Sequence, residues 1–372
     1  MTEDYSSLLK ETVKRVPPYV PGKSVSETIA EYGLDPASVI KLSSNENPLG
    51  PSPKAEAAAR EAAAGASVYP LADLRFLREA IASRTGFPVG SVVVSGPGMD
   101  SLIDSVCKIF VGSGDEVIIS TPTFSFYEIA ATICGGVPMF VPRKENFDID
   151  TEGILKAVTE KTKIIFICSP NNPTGNLVSP EDVKKLAERS GCIVFLDEAY
   201  IEFADQESSA CSLISGHDNI IVGRTFSKVY GLAGLRVGYG LMPEWIASEI
   251  LRISLPFSVS VVTEAAAVAA LADGEHVEKT RRMVSEGRRF FCERIPAETP
   301  FRAWPSSGNF IAVDVSPCTS REICDALLRD GIIIRSCDSF KGAGKSMVRI
   351  TVGTAEMNRR VLDALVKAAG KK

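Results

Sequence analysis

Apolar residues in this chain are grouped into short continuous runs that are separated by amphipathic segments. Five runs are rich in β-branched residues and lack alternation of polar and apolar positions: SVVVSG, DEVIIS, KIIFICS, CIVFLDE and NIIVGRTFS, all between residues 91 and 227. Such runs are typical of strands in a sheet that is covered on both faces. The intervening segments, including 99–110 and 180–191, have the spacing of helices. The pattern predicts an α/β fold with a mostly parallel sheet and helices on both faces.

A second group of elements follows a long helical stretch that begins near residue 263. It consists of strand-like segments at 309–315, 332–337 and 346–353, a helical segment at 320–331 and a C-terminal helix. We therefore expect a large domain at residues 45–260 and a smaller α/β domain formed by residues 1–44 and 261–372. The segment NENPLGPSP is rich in proline and asparagine, and we interpret it as a loop between an N-terminal arm and the large domain.

The composition is that of an ordinary globular protein, with 45% hydrophobic and 23% charged residues among 372. A formal net charge of −5 disfavours nucleic acid or an anionic membrane as a partner. We expect neither a membrane span nor a signal peptide, because no run of about 18 apolar residues occurs and the N-terminal segment is charged. Nine cysteines are scattered without a CxxC pair, and the only histidines are His217 and His276. These features favour reduced thiols in a cytoplasmic protein without a metal site.

A glycine-rich segment, VVVSGPGMDS (92–101), joins the first strand of the large domain to a helix. Gly96 and Gly98 lie at the turn, and backbone N–H groups at the start of a helix favour a phosphate. The segment differs from the dinucleotide fingerprint, and no acid ends the next strand, which finishes IISTPTF. A bound phosphate and a simple glycine turn both remain compatible with the segment, whereas NAD is disfavoured.

Polar side chains follow three consecutive strands: Asn172, then Asp197, then Ser227 with Lys228. Ligands of parallel sheets bind at the carboxyl ends of the strands, so we expect these side chains at one rim. Taken singly, they are also compatible with a turn, a helix cap and a surface lysine. Together with a phosphate site they match pyridoxal phosphate (PLP), which needs an amine for its aldehyde and an acid for its ring nitrogen. Ser227 and Arg236 would complete the phosphate site.

In this order the segments resemble the fold-type I PLP enzymes of the aspartate aminotransferase superfamily, and within it the histidinol-phosphate aminotransferases. The motifs that carry the resemblance are PPYVPGK, KLSSNENPLGPSP, SPNNPTG, DEAYIEF, TFSKVYGLAGLRVGY and VRITVGT, which span nearly the whole chain. The resemblance implies transamination between L-histidinol phosphate and 2-oxoglutarate in histidine biosynthesis. It also implies a homodimer with shared active sites.

The same resemblance implies roles for individual residues around the cofactor. Lys228 would bond to the cofactor aldehyde and move a proton, Asp197 would pair with the ring nitrogen, and Asn172 and Tyr200 would contact the ring hydroxyl. The phosphate would be held by the backbone of Gly98 and Met99, by Thr225, Ser227 and Arg236, and by Tyr69 of the neighbouring subunit. Phe124 stands where the family stacks an aromatic ring on the cofactor.

Two arginines of the small domain are candidates for substrate binding. Arg349 lies in SMVRITVG, on the opposite strand face from Val348 and Ile350. The pattern alone favours a solvent-facing position for this arginine. The resemblance implies that Arg349 binds an α-carboxylate and Arg335 a distal phosphate, with Tyr19 and Asn47 in the same pocket.

Other activities share many of these features. An aromatic or broad-specificity aminotransferase would keep every cofactor residue, and so would a phosphothreonine-type PLP decarboxylase. A PLP-sensing domain of a transcription regulator would need an appended basic DNA-binding domain, which the negative charge of the chain does not favour.

Overall fold

The computed structural model describes residues 5–16 and 25–370. The helices are α1 (Glu11–Arg15), α2 (Val25–Tyr32), α3 (Pro53–Ala62), α4 (Arg75–Thr85), α5 (Met99–Phe110), α6 (Phe126–Ile133), α7 (Thr151–Ala157), α8 (Pro180–Ser190), α9 (Glu244–Ile253), α10 (Val261–Leu271), α11 (Gly274–Glu298), α12 (Ser320–Arg329) and α13 (Ala355–Ala369). The strands are β1 (Ile40–Lys41), β2 (Val92–Ser95), β3 (Glu116–Thr121), β4 (Val137–Pro142), β5 (Thr162–Cys168), β6 (Ile193–Asp197), β7 (Ile220–Thr225), β8 (Gly238–Leu241), β9 (Arg302–Trp304), β10 (Phe310–Asp314), β11 (Ile332–Ile333), β12 (Arg335–Ser336) and β13 (Met347–Thr351). None of the helices in these described ranges is long and apolar enough to cross a bilayer.

Seven strands form the larger sheet, in the order β2-β8-β7-β6-β5-β3-β4. β8 is antiparallel to β2 and to β7, and the other neighbouring pairs are parallel. Every residue of β6 is buried, as is nearly every residue of β5. Because successive side chains of a strand point to opposite faces, the sheet must be covered on both. The predicted α/β class, with a mostly parallel sheet, is confirmed.

The smaller sheet has four antiparallel strands in the order β12-β13-β10-β9. Side chains of β10 and β13 share a separate apolar core with helices α11, α12 and α13. The short β1 pairs with β11 in parallel, and its Ile40 also belongs to this second core, together with Leu42. The chain just before the NENPLGPSP loop therefore packs with the C-terminal elements.

The long helical stretch divides into α10 and α11 at a turn that includes Asp273. α10 packs against α3 and α4, and its Ala266 and Ala267 belong to the core of the larger sheet. α11 passes from one core to the other, because Val284 belongs to the first and Phe291 to the second. The predicted boundary at residue 260 stays a prediction; the change of core occurs inside α11.

β8 brings the larger sheet close to the start of α5. Gly238 has so little space that a Cβ atom there would lie 2.7 Å from the backbone nitrogen of Met99. A side chain at this position would therefore push the first turn of α5 away from the sheet. This close approach fixes the N-terminus of α5 beside the carboxyl end of β7.

Candidate active site

A cavity of about 430 Å³ opens at the carboxyl ends of β5, β6 and β7. Its walls come from both sheets and from the loop before α3. The residues that line it include Ser44, Asn45, Glu46, Met99, Asp100, Phe124, Cys168, Asn172, Asp197, Tyr200, Thr225, Ser227, Lys228, Arg236, Arg335 and Arg349. Parallel strands that end at the same edge thus bring distant parts of the sequence into one site, as the rule for such sheets requires.

Lys228 lines the cavity. The amine donates a hydrogen bond to the carbonyl oxygen of Ser44 (3.2 Å) and lies 5.5 Å from the centre of the Tyr200 ring. Burial, and then the charge of Arg349, lower the pKa of Lys228 to about 8. A substantial fraction of this amine is therefore neutral near physiological pH, which is the form that attacks a carbonyl group.

Asp197 ends β6, and its carboxylate is held by two donors, one on each oxygen. The hydroxyl of Tyr127 donates to Oδ2, and the backbone N–H of Ala199 donates to Oδ1 at 3.0 Å. Burial raises the pKa of Asp197 to about 6, and these two hydrogen bonds act against that rise. These two hydrogen bonds fix the orientation of the carboxylate, which can accept a further hydrogen bond from a donor in the cavity.

A set of hydrogen-bond donors surrounds the N-terminus of α5. The hydroxyls of Thr225 and Ser227 lie 3.0 Å apart, and the Arg236 guanidinium approaches the Ser227 hydroxyl at 3.5 Å and Asp100 at 3.2 Å. Gly98 has a φ of 79°, and a Cβ atom there would lie 2.7 Å from Arg236 Nη2. Only glycine therefore allows the guanidinium to lie over the start of the helix. Hydroxyls, a guanidinium and a helix N-terminus together form a site for a phosphate group.

The opposite wall is built around Arg349, which is buried on β13. Its Nη1 donates to the side-chain oxygen of Asn172, and its Nη2 donates to the carbonyl of Ser43 (2.6 Å). Asn45 donates from its side chain to the hydroxyl of Tyr200 at 3.0 Å, and this contact links the loop before α3 to the end of β6. Arg335 lines the same wall, half-buried, with Ser339 as a hydrogen-bond acceptor at 3.4 Å.

Most of the residues predicted for the site are brought together by the fold, and Gly98 lies directly beneath Arg236. Asn47 is not among the cavity residues, because its amide donates to the carbonyl of Val229 (3.0 Å) and to Thr280 (3.2 Å). Tyr69 is also outside this cavity. It is 77% exposed and stacks on Phe257, with 4.7 Å between the ring centres. Tyr19 lies outside the described residues.

Several residues of the site were not predicted from the sequence. Asn45 and Glu46 belong to the NENP segment, in which Asn47 was named instead. Asp100 lies in the first turn of a predicted helix and Cys168 in an apolar run, so neither position indicated a role in the site. Tyr127 gave no signal either, because it lies within an apolar helical segment and only the fold brings it to Asp197.

Residues 37–365 match the family model for aminotransferase class I and II. The chain is 51% identical to the histidinol-phosphate aminotransferase of Methanosarcina barkeri over 361 residues, which cover 97% of each chain. Among solved structures it is similar to the histidinol-phosphate aminotransferase of Sinorhizobium meliloti in complex with pyridoxal-5'-phosphate, with a TM-score of 0.89, 27% identity and 99% of each chain covered. The L-threonine-O-3-phosphate decarboxylase of Porphyromonas gingivalis has the same fold, with a TM-score of 0.80 and 24% identity over 90% of this chain and 100% of that one.

Proposed function

We propose that this chain, which belongs to the aminotransferase class I and II family, carries out the reaction of its histidinol-phosphate aminotransferase branch. It transfers an amino group from L-histidinol phosphate to 2-oxoglutarate with PLP as cofactor, giving imidazole acetol phosphate and glutamate. The step belongs to histidine biosynthesis. The main structural support is that two arginines for anionic substrate groups line the same cavity as a lysine, a carboxylate and a phosphate site.

The residues present fit PLP. The cavity holds a half-buried amine of lowered pKa, a buried carboxylate with an oriented free edge, and a phosphate site in which a Cβ at Gly98 would collide with Arg236. Lys228 would hold the aldehyde carbon, Asp197 the ring nitrogen, and Ser227, Thr225 and Arg236 the phosphate. When bound, PLP supplies an aldehyde that reacts with amines and a ring that withdraws electrons from the substrate carbon.

Lys228 would transfer the proton of the reaction, and Asp197 would determine the protonation state of the ring nitrogen. Lys228 has a pKa of about 8, so its amine can accept a proton from the substrate Cα and return it without a large energetic penalty near neutral pH. Asp197 would favour the protonated form of the ring nitrogen when PLP is bound, because an ionised carboxylate stabilises a nearby cation. Asn172 and Tyr200 would contact the hydroxyl oxygen of the ring.

One cavity must accept two unlike substrates in turn. Histidinol phosphate carries a phosphate and no α-carboxylate, whereas glutamate carries two carboxylates and no phosphate. Arg349 and Arg335 are paired positions on neighbouring strands, and both line the cavity. A guanidinium group can form two parallel hydrogen bonds to a carboxylate or to a phosphate. This arrangement supports a ping-pong reaction in which the same arginines serve both half-reactions.

We further propose a cytoplasmic homodimer with shared sites. Apolar side chains are exposed around the stacked pair of Tyr69 and Phe257, among them Val68 at 69% and Leu255 at 75% exposure. A contiguous apolar surface of this kind favours contact with another chain. Tyr69 lies on it, which supports a role at the partner subunit's cofactor. All nine cysteines are unpaired, in keeping with a reducing compartment.

A half-reaction screen tests the proposal. The purified, PLP-loaded protein is mixed with histidinol phosphate, phenylalanine, tyrosine, aspartate or phosphothreonine, and the visible absorbance of the cofactor is followed. We expect the fastest loss with histidinol phosphate and recovery with 2-oxoglutarate. Faster reaction with phenylalanine would instead indicate an aromatic aminotransferase, and release of carbon dioxide from phosphothreonine would indicate a decarboxylase.

A further inference from the structure

We propose that Tyr127 is a positioning residue that fixes the Asp197 carboxylate and keeps it ionised against the cofactor ring. This inference rests on the proposed function, because it concerns the group that Asp197 faces in the loaded protein. Tyr127 lies on α6, and its side chain is completely buried. It does not line the cavity itself, and it reaches the cavity through its contacts with Asp197 and Phe124.

The hydrogen bonds determine how Asp197 can move. Tyr127 donates to Oδ2 while the Ala199 backbone donates to Oδ1, so rotation of the carboxylate would break one bond or both. Buried donors and acceptors that lose their partners are costly, and the observed rotamer is therefore strongly preferred. Asp197 itself lines the cavity.

The Tyr127 ring is fixed by aromatic neighbours. It stacks on Phe166 with 4.9 Å between ring centres and an interplanar angle of 6°. It also meets Phe124 edge-on, at 5.6 Å and 86°. Phe124 lines the cavity, where the resemblance assigns it to the cofactor face. Tyr127 thus contacts both the residue assigned to the ring face and the residue assigned to the ring nitrogen.

The hydroxyl also controls the charge of Asp197. Burial raises the pKa of this carboxyl, and donation from Tyr127, donation from Ala199 and the charge of Lys228 lower it, whereas the charge of Asp100 raises it. Tyr127 itself has a pKa raised well above its ordinary value, first by burial, so its hydroxyl stays a donor. Without that donor Asp197 becomes a stronger base and draws the proton from the ring nitrogen toward itself.

Tyr127→Phe removes one oxygen and leaves the aromatic packing in place. The matched control is Tyr239→Phe, because Tyr239 is also fully buried but lies on β8 with Arg224 as its polar neighbour. Wild type and both variants are loaded with ¹⁵N-labelled PLP, and the pyridine nitrogen signal is recorded by NMR. Turnover and the melting temperature are measured on the same samples.

In Tyr127→Phe we expect the nitrogen signal to shift toward that of an unprotonated pyridine. We expect kcat to fall about tenfold or more for every amine alike, since a hydrogen bond to a charged group is lost. The Tyr239→Phe protein should keep the wild-type signal. A Tyr127→Phe protein that is folded and loaded, with an unchanged nitrogen signal, would overturn the proposal.

A second variant covers the case in which Tyr127→Phe does not fold. Site-specific 3-fluorotyrosine at position 127 has nearly the same size and a more acidic hydroxyl, so it donates more strongly. The nitrogen signal should then stay at, or move further toward, the protonated value, and movement toward unprotonated pyridine would contradict the proposal. Failure of the wild-type protein to bind PLP would overturn the proposed function instead, so the two failures are distinguishable.

Discussion

Arg335 and Arg349 are direct cross-strand partners on β12 and β13, and both line the cavity. Two guanidinium groups on neighbouring strands carry more positive charge than a single α-carboxylate needs. Arg349 is buried against Asn172 and Ser43, whereas Arg335 is half-buried and closer to solvent. We therefore assign the fixed anion contact to Arg349 and the distal anion contact to Arg335.

Replacement of Arg335 by alanine should lower the catalytic efficiency toward histidinol phosphate more than that toward an amine without a distal anion. A charge-assisted fork is worth about 1.5 to 3 kcal/mol, so kcat/KM for histidinol phosphate should fall about tenfold or more. The value for phenylalanine should change much less. Arg321→Ala is the control, since Arg321 is an exposed arginine of the same domain that pairs with Asp338 outside the cavity. Equal losses for both amines would remove the case for Arg335 as a distal phosphate ligand.

Lys228→Ala should abolish turnover but leave some PLP bound without a covalent bond. The phosphate site around Arg236 and Ser227 is intact in this variant, which is why retention is expected. Borohydride reduction of the loaded wild type, followed by peptide mapping, should place the cofactor on Lys228. Lys41→Ala serves as a control, because Lys41 pairs with the cavity residue Glu46 at 3.0 Å. A label on any other lysine would refute the assignment.

Asp197→Asn should fold and lose most of its activity. The amide can still accept hydrogen bonds through its oxygen, but it cannot stabilise a protonated ring nitrogen. Removal of one strong electrostatic contribution typically costs about a hundredfold or more in kcat. Steady-state kinetics and thermal unfolding are compared with those of Asp182→Asn, a carboxylate at the start of α8. Turnover near that of wild type would mean that Asp197 serves only the structure of the strand end.

The proposed sharing of sites can be tested by complementation. Inactive Tyr69→Ala and Lys228→Ala homodimers are mixed under conditions that exchange subunits. One of the two sites in a mixed dimer would then have both residues intact, so part of the activity should return. Exchange is verified with differently tagged chains. If exchange is complete and activity stays absent, each site is built from a single chain.

The pKa of Lys228 gives a prediction for the stability of the cofactor-free protein. Burial and Arg349 lower this pKa from 10.5 to about 8, so between these values the folded chain binds fewer protons than the unfolded chain. Its free energy of unfolding should therefore gain a contribution that rises with pH from about 8 to 10.5. Lys228→Met lacks this contribution and should be the more stable form below about pH 8, with the difference decreasing above it. Urea unfolding of both proteins at several pH values measures the effect, and a constant difference would contradict it.

The sequence was sufficient for the elements whose side chains are buried on both faces. β5 and β6 are continuous apolar runs, and their positions followed directly. β8 was not predicted as a strand, because two of its four residues are glycine, which has low strand propensity. β4 was also missed. It contains two prolines and is tolerated because it lies at the edge of the sheet.

The same distinction applies to the site. Asn172, Asp197 and Lys228 follow strands, so the geometry of a parallel sheet was enough to place them together. Tyr127 is 70 residues away in sequence from its partner Asp197, and Asn45 is 155 residues away from its partner Tyr200. No local sequence pattern predicts hydrogen bonds of this kind. Asn47 shows the opposite case. Its motif was correctly associated with the cavity, but its own amide is used to attach the loop to α11.

Lys228, Asp197 and Arg236 are supplied by the larger sheet and the segments next to it, whereas Arg335 and Arg349 are supplied by the smaller one. The strands of the two sheets contribute mainly to separate apolar cores. Amino-acid changes in β12, which holds Arg335, can therefore alter which amine is accepted, whereas a change of Arg349 on β13 would also affect Asn172 and Lys228. For protein engineering, β12 and its flanking loop are accordingly the segment to exchange when a new amine specificity is wanted.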